Sequence, residues 1–437
     1  MNPNKVSGRS GILTLSRLVF TAALVAGGAS CRVAAPDDDL GGSPVDPIGN
    51  TDTPAPPLSA PVAGASFTSA ASVDTTRMPV PPQSSTIINV TSPITISGTV
   101  TDVTYNVTGS MPNATAINLG TTGRLERVRV NVNGNALNGV AGGALKDVYV
   151  TGATYAGIAS ARSFEGVVFA TNNYVDFYLS GSGVTLAADA MIKSLNVLNF
   201  SFLGNNLADS HFNGPLVSLA PAGAPPSATA FECWANCQRN LFNIIIANKA
   251  PGYGLAMYGG SVDNVVNEFL GNGTLGSGDS DPGISMGGGA ARNVINKATV
   301  VRYTIGVIFG EDVDPSPHDN VVHTLIAQDT YYGCVFMDRG AYNNKIGDVG
   351  GTTCVNTGGA DSTHFSSVWI ANRPGQTNVP PHDNQVLGLA QSGSLDNPRY
   401  SVFLGPGTTR NTVRGTAAFW TTAKLLDQGS GNTVNLQ

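Results

Sequence analysis

One short motif recurs through the second half of the chain and restricts its fold more than any other feature. It is an asparagine, any residue, then in most copies valine or isoleucine. It reads Asn240-Leu241-Phe242, Asn264-Val265-Val266, Asn293-Val294-Ile295, Asn320-Val321-Val322, Asn344-Lys345-Ile346, Asn384-Gln385-Val386, Asn411-Thr412-Val413 and Asn432-Thr433-Val434. Most spacings fall between 21 and 29 residues, and one is 40. A second triplet precedes each copy from Asn264 to Asn411: Leu255-Ala256-Met257, Ile284-Ser285-Met286, Val307-Ile308-Phe309, Val335-Phe336-Met337, Val368-Trp369-Ile370 and Val402-Phe403-Leu404. The outer residues of every triplet are apolar, the period of two expected of a strand with one buried face. Met257, Met286, Met337 and Leu404 each stand seven residues before their asparagine. A constant strand–turn–strand spacing describes stacked coils, each burying its core against the next.

The first half is more degenerate. Val128-Arg129-Val130, Val148-Tyr149-Val150, Val167-Val168-Phe169 and Leu195-Asn196-Val197 read as the same strand. About a dozen coils at ~4.8 Å each predict a rod ~60 Å long. The recurrent asparagine has a physical reason: an amide inside a turn can bond backbone groups and the asparagine of the next coil, making a ladder.

On these repeats the chain resembles the pectin-lyase-like superfamily of right-handed parallel β-helices, over roughly residues 85 to 437. The resemblance implies an all-β chain whose domain, assigned to 66–437, is a single right-handed parallel β-helix, a solenoid. That superfamily holds lyases, hydrolases, esterases, epimerases and non-catalytic surface proteins, and many members bind or cut acidic polysaccharides. The resemblance therefore specifies architecture and leaves the chemistry open. No polygalacturonase-like pair of aspartates falls on a strand, and the only Asp run, Asp37 to Asp39, lies before the repeats.

Lys5, Arg9 and Arg17 precede the apolar stretch Leu18 to Ala26 and the small residues Gly27 to Ser30. This predicts a signal peptide over residues 1–31. Val33-Ala34-Ala35 suits cleavage at small residues, whereas Gly28-Ala29-Ser30-Cys31 resembles a lipoprotein box with Gly28 where leucine is usual, making Cys31 the lipidation candidate. Removing or acylating Cys31 leaves four of the five cysteines, which can make two bridges, Cys233–Cys237 within one loop and Cys334–Cys354 between neighbouring coils, a connectivity the sequence leaves open. Residues 32–65, rich in Pro and Asp, read as a disordered linker spanning roughly 30 Å. The expectation is an exported protein, either secreted or an outer-membrane or cell-surface lipoprotein that meets the membrane only through its lipid. A net charge of −6 lacks the basic stripe nucleic acid needs.

Candidate site residues come from departures from coil regularity. Expanded turns are read at Pro221 to Gln238, Glu311 to His318 and Arg373 to His382, all at one corner of the rod. Inserted loops on one face are where repeat proteins carry binding surfaces. The first two flank the glycine-rich turns Tyr258-Gly259-Gly260-Ser261 and Gly287-Gly288-Gly289-Ala290, predicting a cleft with Trp234 on one wall. Trp234, Tyr258, Arg373, His318 and His382 are the substrate-binding candidates, with Tyr342 between the histidines in a His–Tyr–His stack. Asp279, Asp281 and Asp312 are the metal candidates, for Ca²⁺. Glu311, Asp312, Asp338 and Arg339 are the catalytic candidates. By resemblance to β-helix lyases, Arg339 would be the base that removes a proton beside a uronate carboxylate. Asp263, Arg292, Asp319, Asn343, Asp383 and Arg410 read as a charge-balanced column. Ile308, Phe336, Trp369 and Phe403 predict an exposed apolar stripe, for a covering loop, a sugar, or a homo-oligomer through Phe336, Trp369 and Phe403. The functional expectation is a surface-attached polysaccharide-interacting protein, in its catalytic form a lyase or glycoside hydrolase. The alternative is a non-catalytic adhesive β-helix.

Overall fold

The structure, a computed structural model, describes residues 69–79, 86–195, 198–220, 228–274, 282–311, 315–358, 366–373, 376–393, 400–417 and 423–437. The predicted signal peptide, Cys31 and the linker lie outside them. Residues Thr68–Gln437 form one compact unit, a right-handed parallel β-helix of about 12 coils.

Three stacked columns of inward side chains make its core. The triplet face runs through Ile117, Val140, Ile158, Phe177, Phe202, Phe231, Leu255, Ile284, Val307, Val335, Val368 and Val402, each paired in parallel register with the next. After the turn, the residue two beyond each ladder asparagine makes the second column: Phe242, Val266, Ile295, Val322, Ile346, Val386 and Val413. The third continues from the same long strands, as Ile245, Phe269, Ala298 and Leu325. Nearly all of these side chains are fully buried. A parallel coil offers little local stabilisation, so the free energy comes from burying this interior against the coils on either side.

The early strands take a different place from the one the sequence suggests. Val130, Val150, Ala170 and Ser194 stack in one column, which continues into Ser218 and Ala247. They therefore belong with the later half of the strand after each asparagine, not with the Asn-x-Val half. The reason is that the early coils divide into two short strands what the later coils cover with one of eight residues, such as Val265–Asn272.

The asparagines form the predicted line. Each Nδ2 donates to the next Oδ1: Asn240 to Asn264 at 2.9 Å, Asn264 to Asn293 at 2.9 Å, Asn293 to Asn320 at 3.0 Å, Asn320 to Asn344 at 3.0 Å, Asn344 to Asn384 at 3.1 Å, Asn384 to Asn411 at 3.1 Å and Asn411 to Asn432 at 3.3 Å. The same Oδ1 also accepts the backbone N–H of the preceding asparagine, and the second Nδ2 hydrogen goes to a corner carbonyl, as from Asn320 to Ala290. An amide has two donors and two acceptor sites, and here all four are filled. The residue before each asparagine turns the corner in the left-handed region, with φ of 57° at Asp263, 54° at Arg292, 57° at Asp383 and 56° at Arg410. Here the column predicted to balance charge does so: Arg292 and Arg410 each grip the aspartate of the preceding rung with two guanidinium nitrogens.

Both disulfides are present, each with Cα atoms 5.8 Å apart. Cys233–Cys237 closes one turn, and Cys334–Cys354 ties the first strand of a coil to the last strand of that same coil, rather than to a neighbour. All four cysteines are buried.

Ahead of the first coil, the 3₁₀ turn Ala70–Ser72 lies against the outside of the wall. There Ala70 packs with Met191, Val217, Ile244 and Ile246. Glu268 accepts the Ala70 N–H at 2.6 Å, and the Lys193 ammonium donates to the carbonyls of Thr75 and Arg77.

Candidate functional site

The residue that follows each triplet defines a column along one corner of the rod. Backbone bonds place Trp234, Tyr258, Gly287, Gly310, Asp338, Ala371 and Gly405 on successive rungs. This register corrects the cleft expected from sequence. Thr229–Ala235 is itself a triplet-face strand, with Phe231 beside Leu255 and Cys233 beside Met257. Cys233 then stands the regular seven residues before Asn240, so its turn is ordinary and is not an inserted wall. The added residues precede the strand instead. The bridge does not stiffen a projecting tip; it lies in the core, where a Cβ on Gly204 would meet both sulfurs within 3.2 Å. Trp234, with 50% of its surface exposed, does point outward as expected.

The glycine turns need no ligand to explain them. Gly259 has φ of 55°, and a Cβ there would come within 2.2 Å of the Trp234 carbonyl. The stacking against the Trp234 carbonyl demands glycine at this position, and the left-handed backbone favours it.

Tyr258 is buried, not displayed on a cleft floor. Its ring lies across Gly287, where a Cβ would meet Cε1 at 3.0 Å. Its hydroxyl is 2.7 Å from Ser285 Oγ, and Ser285 Oγ donates to Glu311 Oε2 at 2.8 Å. With the serine proton committed to the carboxylate, the tyrosine must donate to the serine. Burial raises Tyr258 well above the usual phenol range, and the carboxylates of Glu311 and Glu232 add to the effect. The Tyr253 ring meets that of Tyr258 edge-on at 5.9 Å. Glu232 and Ser285 belong to the same outward column of the triplet face, separated by Ala256. A hydrogen-bonded chain thus runs from the buried Tyr258 through the buried Ser285 to the partly exposed Glu311, with the buried Glu232 beside it.

Two rungs beyond Gly287, Asp338 is fully buried and accepts from Arg339 N at 2.7 Å, from Arg373 N at 3.0 Å and from Arg373 Nε. Its oxygens are occupied in holding two arginine-bearing turns together. Arg339 has φ of 46°, the left-handed slot that Gly259 and Gly288 fill two residues after their own triplets. Arg373 keeps 28% of its side chain exposed.

His318, Tyr342 and His382 stack as expected, with ring centroids 4.8 and 5.2 Å apart and planes 13° and 14° from parallel. Each histidine Nδ1 meets the following aspartate, Asp319 at 2.7 Å and Asp383 at 2.8 Å. The stack uses the ring faces, leaving a sugar no flat surface between them.

The apolar stripe is not exposed. Ile308, Phe336, Trp369 and Phe403 retain between 1% and 6% of their surface and form a second core cluster with Ile305 and Ala371. An outward-pointing column in a coil is not necessarily a solvent-facing one, because connections can fold back over it. Asp279, Asp281 and Asp312 lie outside the described residues. Among the described residues, no group of three or more His, Cys, Asp or Glu is placed to hold a metal.

Glu232, Tyr253 and Ser285 were not singled out from sequence. Phe231-Glu232-Cys233 fits the triplet pattern, and its charged middle residue was the available signal, hidden by reading the segment as a loop. Comparison of the chain with protein-family models, curated proteins and solved structures finds no match.

Proposed function

We propose that this is an exported rod, attached at the surface through the segment ahead of its coils, that binds an acidic polysaccharide along the corner bearing Trp234, the Tyr258–Ser285–Glu311 chain and Arg373. The observation that carries this reading is the succession itself. An exposed indole, two buried hydroxyls bonded to a partly exposed carboxylate, and an arginine fixed by a buried aspartate follow one another along one corner of the rod. An aromatic face suits the apolar C–H face of a sugar, and a positioned guanidinium suits a uronate carboxylate. The four stacked coil spacings from Trp234 to Asp338 amount to ~19 Å, a length that matches a polymer rather than a single sugar. The buried disulfides support an oxidising, extracellular setting.

In its catalytic form the reading is cleavage of that polymer, with Glu311 and the Tyr258–Ser285 hydroxyls as the proton-handling groups and Arg373 neutralising the carboxylate. The test is binding of polygalacturonate and a neutral glucan by the parent, Trp234→Ala and Arg373→Ala chains, with ultraviolet detection of unsaturated products. Trp234→Ala should weaken binding about tenfold, and Arg373→Ala should erase the preference for the acidic polymer. Equal binding by all three chains would sink the reading.

A further inference from the structure

Along the same outer wall, before the Glu232 coil, lies an aromatic group with no role in the core. Tyr155 and Tyr174 stack with centroids 6.2 Å apart and planes 23° from parallel. Tyr178 lies 6.0 Å from Tyr155, and Phe200 meets Tyr174 edge-on at 6.2 Å. All four rings are half-buried. Two of their polar tips are fixed by amides: Asn205 Nδ2 donates to the Tyr178 hydroxyl at 2.8 Å, and Tyr174 bonds Asn199. Interior rings of the same coils, Phe177 and Phe202, are fully buried and already fill the core. The tyrosines are therefore an addition to the outside of a wall that is complete without them.

The group is continuous with the polar chain already described. Tyr178, Leu203, Glu232, Ala256 and Ser285 are successive members of one outward column; Leu203 to Ser285 are buried, so the column sets direction and spacing while the surface open to a ligand lies at its partly exposed ends, Tyr178 and Glu311. Glu232 lies between the two features, since its carboxylate adds to the effect of burial in raising both the Tyr174 and Tyr258 hydroxyls. Tyrosine rings carrying amide-tethered hydroxyls offer what a pyranose needs: an apolar face for its C–H groups and hydrogen-bonding partners at the rim.

We infer that Tyr155, Tyr174, Tyr178 and Phe200 form a second sugar subsite, so that a glycan chain lies along the rod axis from this platform to the Tyr258–Ser285–Glu311 chain. The inference rests on the polysaccharide reading above and adds a direction and a length to it. The column from Tyr178 to Ser285 covers four coil spacings, ~19 Å. A short oligomer occupies one end only, whereas a long one engages both and binds more tightly through the linked contact.

The test uses the whole exported chain with a trimer and an octamer of galacturonate, followed by calorimetry. The parent should bind the octamer at least about tenfold more tightly than the trimer. Tyr174→Ala should reduce octamer affinity about tenfold and change trimer affinity by less than about twofold, while Tyr174→Phe stays close to the parent. In the unsubstituted chain, nitration of Tyr174 by tetranitromethane, read by peptide mass spectrometry, should be slowed by the octamer and not by the trimer. This arm holds even if the alanine variant misfolds. Octamer binding that leaves Tyr174 open to nitration overturns the subsite. If that binding is also lost in Trp234→Ala, the corner reading survives without it. A parent that binds neither oligomer overturns both.

Discussion

The later coils and the earlier coils close the same corner by different chemistry. From Asn240 onward an uninterrupted amide ladder does it, with both donors and both acceptor sites filled from Asn264 to Asn411. In the earlier coils the same corner holds Gly143, Arg162, Val184 and Ser210. Only Ser210 joins the ladder, passing a bond from Val184 N and donating its own N–H to Asn240. Those coils place polar groups in the interior instead: Asn173, Asp176 and Ser194 are fully buried and bonded together. A ladder repeats one solution and leaves a sequence trace at every coil. A cluster is a local solution, built once from residues of several types, and it brings an ionisable group into the core.

The difference can be broken most severely within the ladder. Asn320→Ala would leave the Asn293 backbone N–H and one Asn293 Nδ2 hydrogen without their acceptor, and would take from the Ala290 carbonyl and the Asn344 Oδ1 one of the two donors each has. The expected loss is about 3–5 kcal/mol, read from urea unfolding. A loss under about 1 kcal/mol would show that water replaces the rung.

In the earlier coils the matching experiment should stabilise. Burial pushes Asp176 up to about 7 from an ordinary 3.8, against the opposing bonds from Ser194 and Asn173. The folded chain therefore holds the proton more tightly than the unfolded chain. Its stability contribution is fully present below pH ~4 and is lost as pH rises through about 7. Asp176→Asn should raise stability at pH 8 by on the order of 2–4 kcal/mol and change little at pH 4. A parent and variant with the same pH dependence would contradict the assignment.

The smallest effect is expected at the exposed corner ion pairs. Arg292→Ala removes a two-pronged contact to Asp263 whose arginine is half exposed. The expected cost is about 0.5 kcal/mol, shrinking at high salt. A cost approaching that of Asn320→Ala would mean that the charge column, and not the amides, holds the corner.

The regular half was the legible half. Asn-x-Val, the triplets and the seven-residue spacing all reappear as columns, and the His318–Tyr342–His382 stack followed from counting rungs. Where spacing lapsed, reading lapsed with it. The segment before Asn240 was read as an inserted loop although Phe231 and Cys233 keep the apolar outer positions of a triplet, and so the strand Thr229–Ala235 and its carboxylate were missed. The stripe through Trp369 was legible as outward but not as covered, since the covering depends on where connections fold.

What the sequence determined by itself is periodicity: a parallel coil, its inward faces and its ladder, because each coil repeats the same contacts with its neighbours and therefore needs the same residues at the same spacing. What only the tertiary structure decided is which distant side chains share a rung. Tyr258, Ser285 and Glu311 are 27 and 26 residues apart along the chain. They meet because coil height adds only ~4.8 Å per turn, and connections of varying length erase that register from the linear order.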